Sequence, residues 1–336
     1  MMTPTEIETL HRDSIVIDAH CDAIGAVING QRRLGERSEL GQFDLPRALE
    51  GGITAEFLAI FFDPKMPGCG TKQMLQYADA FLQEIDAFPE MAIHATTAAD
   101  IRRAKADGRV ALFLTMEGAE ALEGDLAALR ICHQLGLRFL GITWNRRNAA
   151  ADGVGEDRTG GGLSEFGAKL VEECNRLGIV LDLAHLAPAG VRDVLKLSTA
   201  PVVVTHGNCH ALWPRDRAVP WPHRRNLSDD QLEAIAAKGG VVGVAAVPAF
   251  LGEDENHAQL SAMLDHVDHM VKVMGEEHVG IGMDFDGVGE SRVEGMEDAS
   301  KLPNFTTGLA ERGYSTRTIR KILGENFLRV IEQVCG

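Results

Sequence analysis

The six cysteines, at 21, 69, 132, 174, 209 and 335, include no C-x-x-C pair. Their spacing makes no framework, so reduced thiols are expected rather than disulfides. The N-terminus, MMTPTEIETLHRDS, lacks the apolar stretch of a signal peptide, and no segment offers 18 uninterrupted apolar residues. The expectation is a cytoplasmic protein with no membrane span. Basic charge is also in deficit: 33 Lys and Arg face 49 Asp and Glu, a net −16. That balance argues against nucleic acid or an anionic membrane as a partner. No G-x-G-x-x-G follows an apolar run, which leaves a dinucleotide site unsupported. No linker, low-complexity segment or repeat divides the chain, so residues 1–336 read as one domain.

What is present is a rhythm. Apolar runs occur at 15–20, 53–62, 110–118, 138–145, 178–186, 201–207, 240–247 and 278–287. Most are rich in Val, Ile and Leu with little polar alternation, as parallel strands buried on both faces require. Helical patterns fall between them, at 71–88, 122–135, 164–177, 228–238, 257–274 and 315–334. Ser164 and Ser228 stand where N-caps belong. Eight strands alternating with helices predict a (β/α)8 TIM-type barrel, with a doubly wound open sheet as the alternative. Longer loops are expected at 21–50, 145–162 and 207–227.

The ends of these runs carry the chemistry. The first ends in His20 and Asp22, the third in Glu117, the fifth in His185, the sixth in His206 and the eighth in Asp284, with Asp286 just beyond. Barrel enzymes hold their active sites at the C-terminal ends of strands. Residues i and i+2 of a strand face one side. His20 and Asp22 can therefore both enter the mouth while Cys21 points away. An imidazole with a carboxylate makes half of a metal site, His185 and His206 make another half, and Glu117 can bridge two ions. Zn²⁺ suits this nitrogen and oxygen donor set, and other divalent ions can substitute. A lone histidine at a strand end is usually structural. Five ligand-type residues ending four strands are hard to explain that way, because unpaired buried charges are costly. Among the remaining histidines, His266 and His269 read as a solvated helix face and His278 as structural. His210 and His223 lie in a loop near the mouth, within reach of a substrate.

The motifs DAHCD (18–22), MEGAEAL (116–122), QLGLRFLGITWN (134–145), GLSEFGAKLVEECNRLGIVLDLAHL (162–186), PVVVTHGN (201–208), RRNLSDDQL (224–232) and GIGMDFDGV (280–288) together resemble the membrane dipeptidase (renal dipeptidase) family. That resemblance spans nearly the whole chain. It implies two zinc ions per chain, His20 and Asp22 on one, His185 and His206 on the other, and Glu117 between them. It implies that Asp284 is the acid/base beside a hydroxide held by the ions. It also implies that Arg225 grips the C-terminal carboxylate of a small dipeptide, that D-configured C-terminal residues are tolerated, and that a homodimer is reasonable. Two departures concern the substrate pocket. Trp144, followed by Asn145, stands where the family often has a histidine, and 245–252 (AAVPAFLG) lacks the tyrosine of mammalian members. Trp144 and Asn145 are therefore expected to shape the pocket. The rival functions are another binuclear-metal amide or ester hydrolase (an N-acyl amino acid deacylase or lactonase), a catalytically silent metal-binding scaffold, and a metal-free protein binding a phosphorylated ligand.

Overall fold

A computed structural model describes residues 2–62, 70–213, 222–252 and 256–336. Cys69 therefore lies outside the described residues. Eight parallel strands form the frame: β1 (Ile17–Cys21), β2 (Ala55–Phe61), β3 (Val110–Glu117), β4 (Leu137–Gly141), β5 (Val180–Asp182), β6 (Val203–Gly207), β7 (Val241–Val244) and β8 (Val279–Ile281). Each pairs with the next, and Asp18 of β1 meets Ile281 of β8, which closes the ring. The architecture is the (β/α)8 barrel that the rhythm predicts. A short strand, Ala92–His94, adds to the first residues of β3, and a separate pair joins His257–Gln259 to Arg292–Glu294.

Phe57, Phe113 and Phe139 fill the barrel interior, with Phe57 and Phe139 ring centroids 4.3 Å apart. Helix Asn326–Val334 crosses the floor beneath them and touches β1, β5, β7 and β8. Its Phe327 sits where a Cβ on Gly280 would meet it at 2.4 Å, so β8 needs glycine there. Asn326 donates its amide to the carbonyls of Glu276 and Val279, both at 2.8 Å.

Several boundaries differ from the sequence reading. The strands are shorter than the apolar runs, because a run marks burial whereas a strand needs a ladder partner. Residues 257–259 form a strand, and the helix begins only at Leu260. The C-terminal segment starts at Thr316 and contains a π-helical turn at Lys321–Glu325. Helix Pro4–Asp13, capped by Thr3 and Glu6, carries only Ile7 and Leu10 as large apolar residues, too few to stand out in the sequence. Ser164 and Ser228 cap their helices as expected, accepting from Gly167 and Gln231 amides.

Candidate metal centre

The strands deliver the ligand-type residues to one mouth, although not by simple alternation. Ile17 and Ala19 pack with the interior phenylalanines, whereas Cys21 packs in the outer core. An irregularity in the β1–β2 register between Asp18 and Cys21 lets His20 and Asp22 also reach the mouth. His185 and Asp284 lie beyond their strands in left-handed turns, with φ of 65° and 64°. Glu117 and His206 sit on β3 and β6. All five ligand candidates and Asp284 converge. His185 Nε2 lies 2.8 Å from Glu117 Oε1, and His206 Nε2 lies 3.6 Å from it. His20 Nε2 is 3.5 Å from Asp22, 3.9 Å from Asp284 and 4.0 Å from Glu117. Three groups can each surround an ion: His20–Asp22–Glu117, Glu117–His185–His206 and His20–His206–Asp284.

The protonation pattern favours cations. Asn145 Oδ1 accepts from His185 Nδ1 at 2.6 Å, so the ring's lone pair is on Nε2. Thr205 donates its hydroxyl to Asp182 at 2.6 Å, so its oxygen accepts from His206 Nδ1 at 2.9 Å. The lone pair of His206 is then also on Nε2. These two Nε2 atoms stand 3.0 Å apart, and both face Glu117. A proton on Glu117 would satisfy one of them; a divalent cation satisfies the whole set. His20 Nε2 and Asp22 Oδ1 are likewise buried without a hydrogen-bond partner.

Within the protein alone, burial holds His185 and His206 well below the usual imidazole range, and the nearby Arg225 and His20 charges add to this. Burial also pushes Glu117 well up. For His20 burial opposes the charge, yet Asp22, Glu117 and Asp284 outweigh it and raise the ring to about 10. The mouth therefore attracts positive charge. Asp284 is lifted to about 7 by burial, with the Asp22 charge adding and His20 and Arg225 opposing.

A cavity of about 710 Å³ opens over Asp22, Glu117, His185 and Asp284. Trp144 and Asn145 both line it, but Asn145 spends its oxygen on His185 and so orients a ligand candidate. Arg225 is buried, donates to the His206 carbonyl at 2.9 Å and lies over the Phe250 ring at 5.5 Å. Sequence reasoning missed Phe61, Tyr77 and Phe250 in the lining, and Thr205 and Asp182 behind His206. Thr205 immediately precedes His206, and that adjacency was the only available signal. Two other histidine readings change. His266 is buried rather than solvated, and its Nδ1 accepts the Cys209 amide at 2.9 Å. His210 lines a different cavity, with Arg192 and Arg224. The His223 side chain lies outside the described residues. His278 bonds the Gly240 carbonyl at 2.7 Å, a structural role.

The family described as membrane dipeptidase (peptidase family M19) matches residues 5–335. Dipeptidase aclJ of Aspergillus oryzae is 32% identical over 305 residues, covering 88% of this chain and 70% of that protein. A Rhodobacter sphaeroides metallo peptidase, solved with a phosphinate mimic of the dipeptide L-Ala-D-Ala, superposes with a TM-score of 0.87 at 34% identity, covering 96% of this chain and 100% of that one. The structure of dipeptidase AC, a metallo peptidase of the same family, gives 0.87 at 36% identity, covering 96% and 99%.

Proposed function

From the premise that the chain belongs to the membrane dipeptidase family and is a metallo-dipeptidase, we propose that it hydrolyses small dipeptides with a free C-terminal carboxylate using two zinc ions. The observation that carries this reading is the cluster of acceptor atoms, two imidazole lone pairs and a carboxylate oxygen, with a second imidazole–carboxylate pair alongside. His20, Asp22 and Glu117 would hold one ion, and Glu117, His185 and His206 the other. Divalent ions bound there supply Lewis acidity and a water activated near neutral pH. Asp284 accepts the proton released from that water and delivers it to the leaving amine; a carboxyl lifted toward neutrality suits both steps. Arg225 binds the substrate carboxylate, and its fork geometry favours two parallel hydrogen bonds. A requirement for that carboxylate confines the enzyme to short peptides. Acceptance of a D-configured C-terminal residue is supported by the L-Ala-D-Ala mimic in the Rhodobacter relative.

The test joins metal analysis to turnover. Purified protein is expected to retain about two zinc ions per chain and to cleave both L-Xaa-D-Ala and L-Xaa-L-Xaa substrates. Glu117→Ala is expected to lose both metal and turnover; full activity in that variant overturns the bridging role. Two metals with hydrolysis of acyl amino acids or lactones but of no dipeptide would move the assignment to the rival hydrolases.

A further inference from the structure

We propose that an aromatic wall over β2 to β4 makes this enzyme selective for dipeptides whose N-terminal side chain is large and uncharged, aromatic or branched aliphatic. This rests on the reading above, in which Arg225 holds the C-terminal carboxylate.

The argument begins with topology. The ring runs in order from β1 to β8, so β3 faces β7 across the mouth. Arg225 follows β6, and the Phe250 ring under its guanidinium follows β7. On the opposite side, Phe61 ends β2, Trp144 follows β4, and Tyr77 stands on helix Gly70–Ala87 that follows β2. All three line the cavity that also exposes Asp22, Glu117 and His185. A substrate anchored by its carboxylate at Arg225 and reacting at the metal centre must extend its N-terminal residue toward this far side.

The chemistry of the far side is specific. Trp144 meets Phe61 edge-on, with ring centroids 5.4 Å apart, and lies 6.1 Å from the His185 ring. The indole is thus both part of an aromatic pair and beside an imidazole of the metal centre. The Tyr77 hydroxyl points inward, 3.5 Å from the place a Cβ on Gly25 would take, and feels the charges of Asp22 and Glu117. Its ring packs 6.5 Å from Phe62, which holds it to the wall. Arg32 and Asp286 also line the cavity, but over β1 and β8, and they neutralise one another in an ion pair. Among the described lining residues over β2 to β4, Glu117 is the only charge, and with Asp22, over β1, it belongs to the proposed metal site. A charged N-terminal side chain would lose its hydration there without gaining a partner. A ring or branched aliphatic group would bury apolar area against three aromatics, and edge-to-face contacts add to that burial.

The experiment uses metal-loaded protein and a series differing only in the first residue: Gly-L-Ala, L-Ala-L-Ala, L-Leu-L-Ala, L-Phe-L-Ala, L-Lys-L-Ala and L-Glu-L-Ala. The expected kcat/KM for L-Phe and L-Leu is at least tenfold above Gly, with L-Lys and L-Glu below L-Leu. In Trp144→Ala and in Phe61→Leu the Phe-to-Gly ratio is expected to fall at least fivefold. Because this is a ratio within one preparation, partial unfolding does not move it. Calorimetric binding of uncleaved phosphinate analogues carrying a benzyl group or hydrogen at the first position should show the same ratio without turnover. A flat series, a preference for a charged first residue, or an unchanged ratio in both variants overturns the proposal. Absence of turnover across the whole panel in metal-loaded protein overturns the underlying dipeptide reading instead, and this selectivity with it.

Discussion

Asn145 shows how a single residue near a reaction can act without touching the reacting atoms. Its oxygen fixes the tautomer of His185, as Thr205 and Asp182 fix that of His206. Such outer partners usually contribute 10–100-fold in metal affinity. Asn145→Ala is accordingly expected to weaken metal retention about 10–100-fold, read by competition with a chelator, while the fold persists. His266 gives a residue-scale prediction for stability. Burial lowers its pKa to about 4, the Leu251 backbone and Asp265 opposing this and His269 adding to it. The folded chain therefore binds that proton less readily than the unfolded chain. Stability is complete above the unfolded pKa near 6.5 and declines as pH falls toward about 4. Denaturant midpoints measured from pH 8 to pH 4 should fall in that window, and His266→Gln should flatten the fall. An unchanged slope in the variant would assign the acid sensitivity to other groups. Neither Asn145 nor His266 declared its role in the sequence. Hydrogen-bond partners 40 and 57 residues away leave no local pattern.

At the scale of elements, the strands were legible and the turns that follow them less so. Buried parallel strands leave apolar runs, and the ligand-type residues were visible because each interrupts one. The helix at 257–274 overran its true start because His257–Gln259 gains a strand partner 35 residues later, and that pairing has no sequence signature. The turn after β8 is a further case. Asp286, at φ 68°, pairs with Arg32 and accepts from the Gln42 amide at 2.6 Å and the Phe43 amide at 3.3 Å. It thus ties the segment bearing Asp284 to the long loop after β1. Removing one partner of such a buried pair costs about 3–5 kcal/mol. Asp286→Asn should lower stability on that order and depress kcat more than KM, since Asp284 loses its support. A stability loss without any change in kcat would leave the pair a purely structural clamp.

For the whole molecule, one end of the barrel carries the chemistry and the other is sealed by apolar packing. Phe327 of the floor helix reaches the interior cluster, 6.1 Å from the Phe57 ring. Phe327→Ala should cost about 3–5 kcal/mol by thermal or denaturant unfolding. Metal content should be preserved under native conditions, because none of the described residues that line the mouth's cavity belongs to the cluster around Phe327. Loss of metal at an unperturbed melting temperature would contradict this separation.

The closing contact between β1 and β8 also sets a clock. Roughly 260 residues separate Asp18 from its partner Ile281. At about 5–20 residues per second, the first strand waits on the order of tens of seconds for its neighbour during synthesis. Until then one edge of β1 has no partner, the condition that invites wrong pairing between chains. Asp18, the second residue of that strand and buried once folded, stays within reach of water while the edge is open. A carboxylate that is costly to bury in the finished barrel thereby guards the nascent one. His20 and Asp284 meet only when the ring closes, so the acid/base joins the mouth last and a growing chain becomes an enzyme only at that moment.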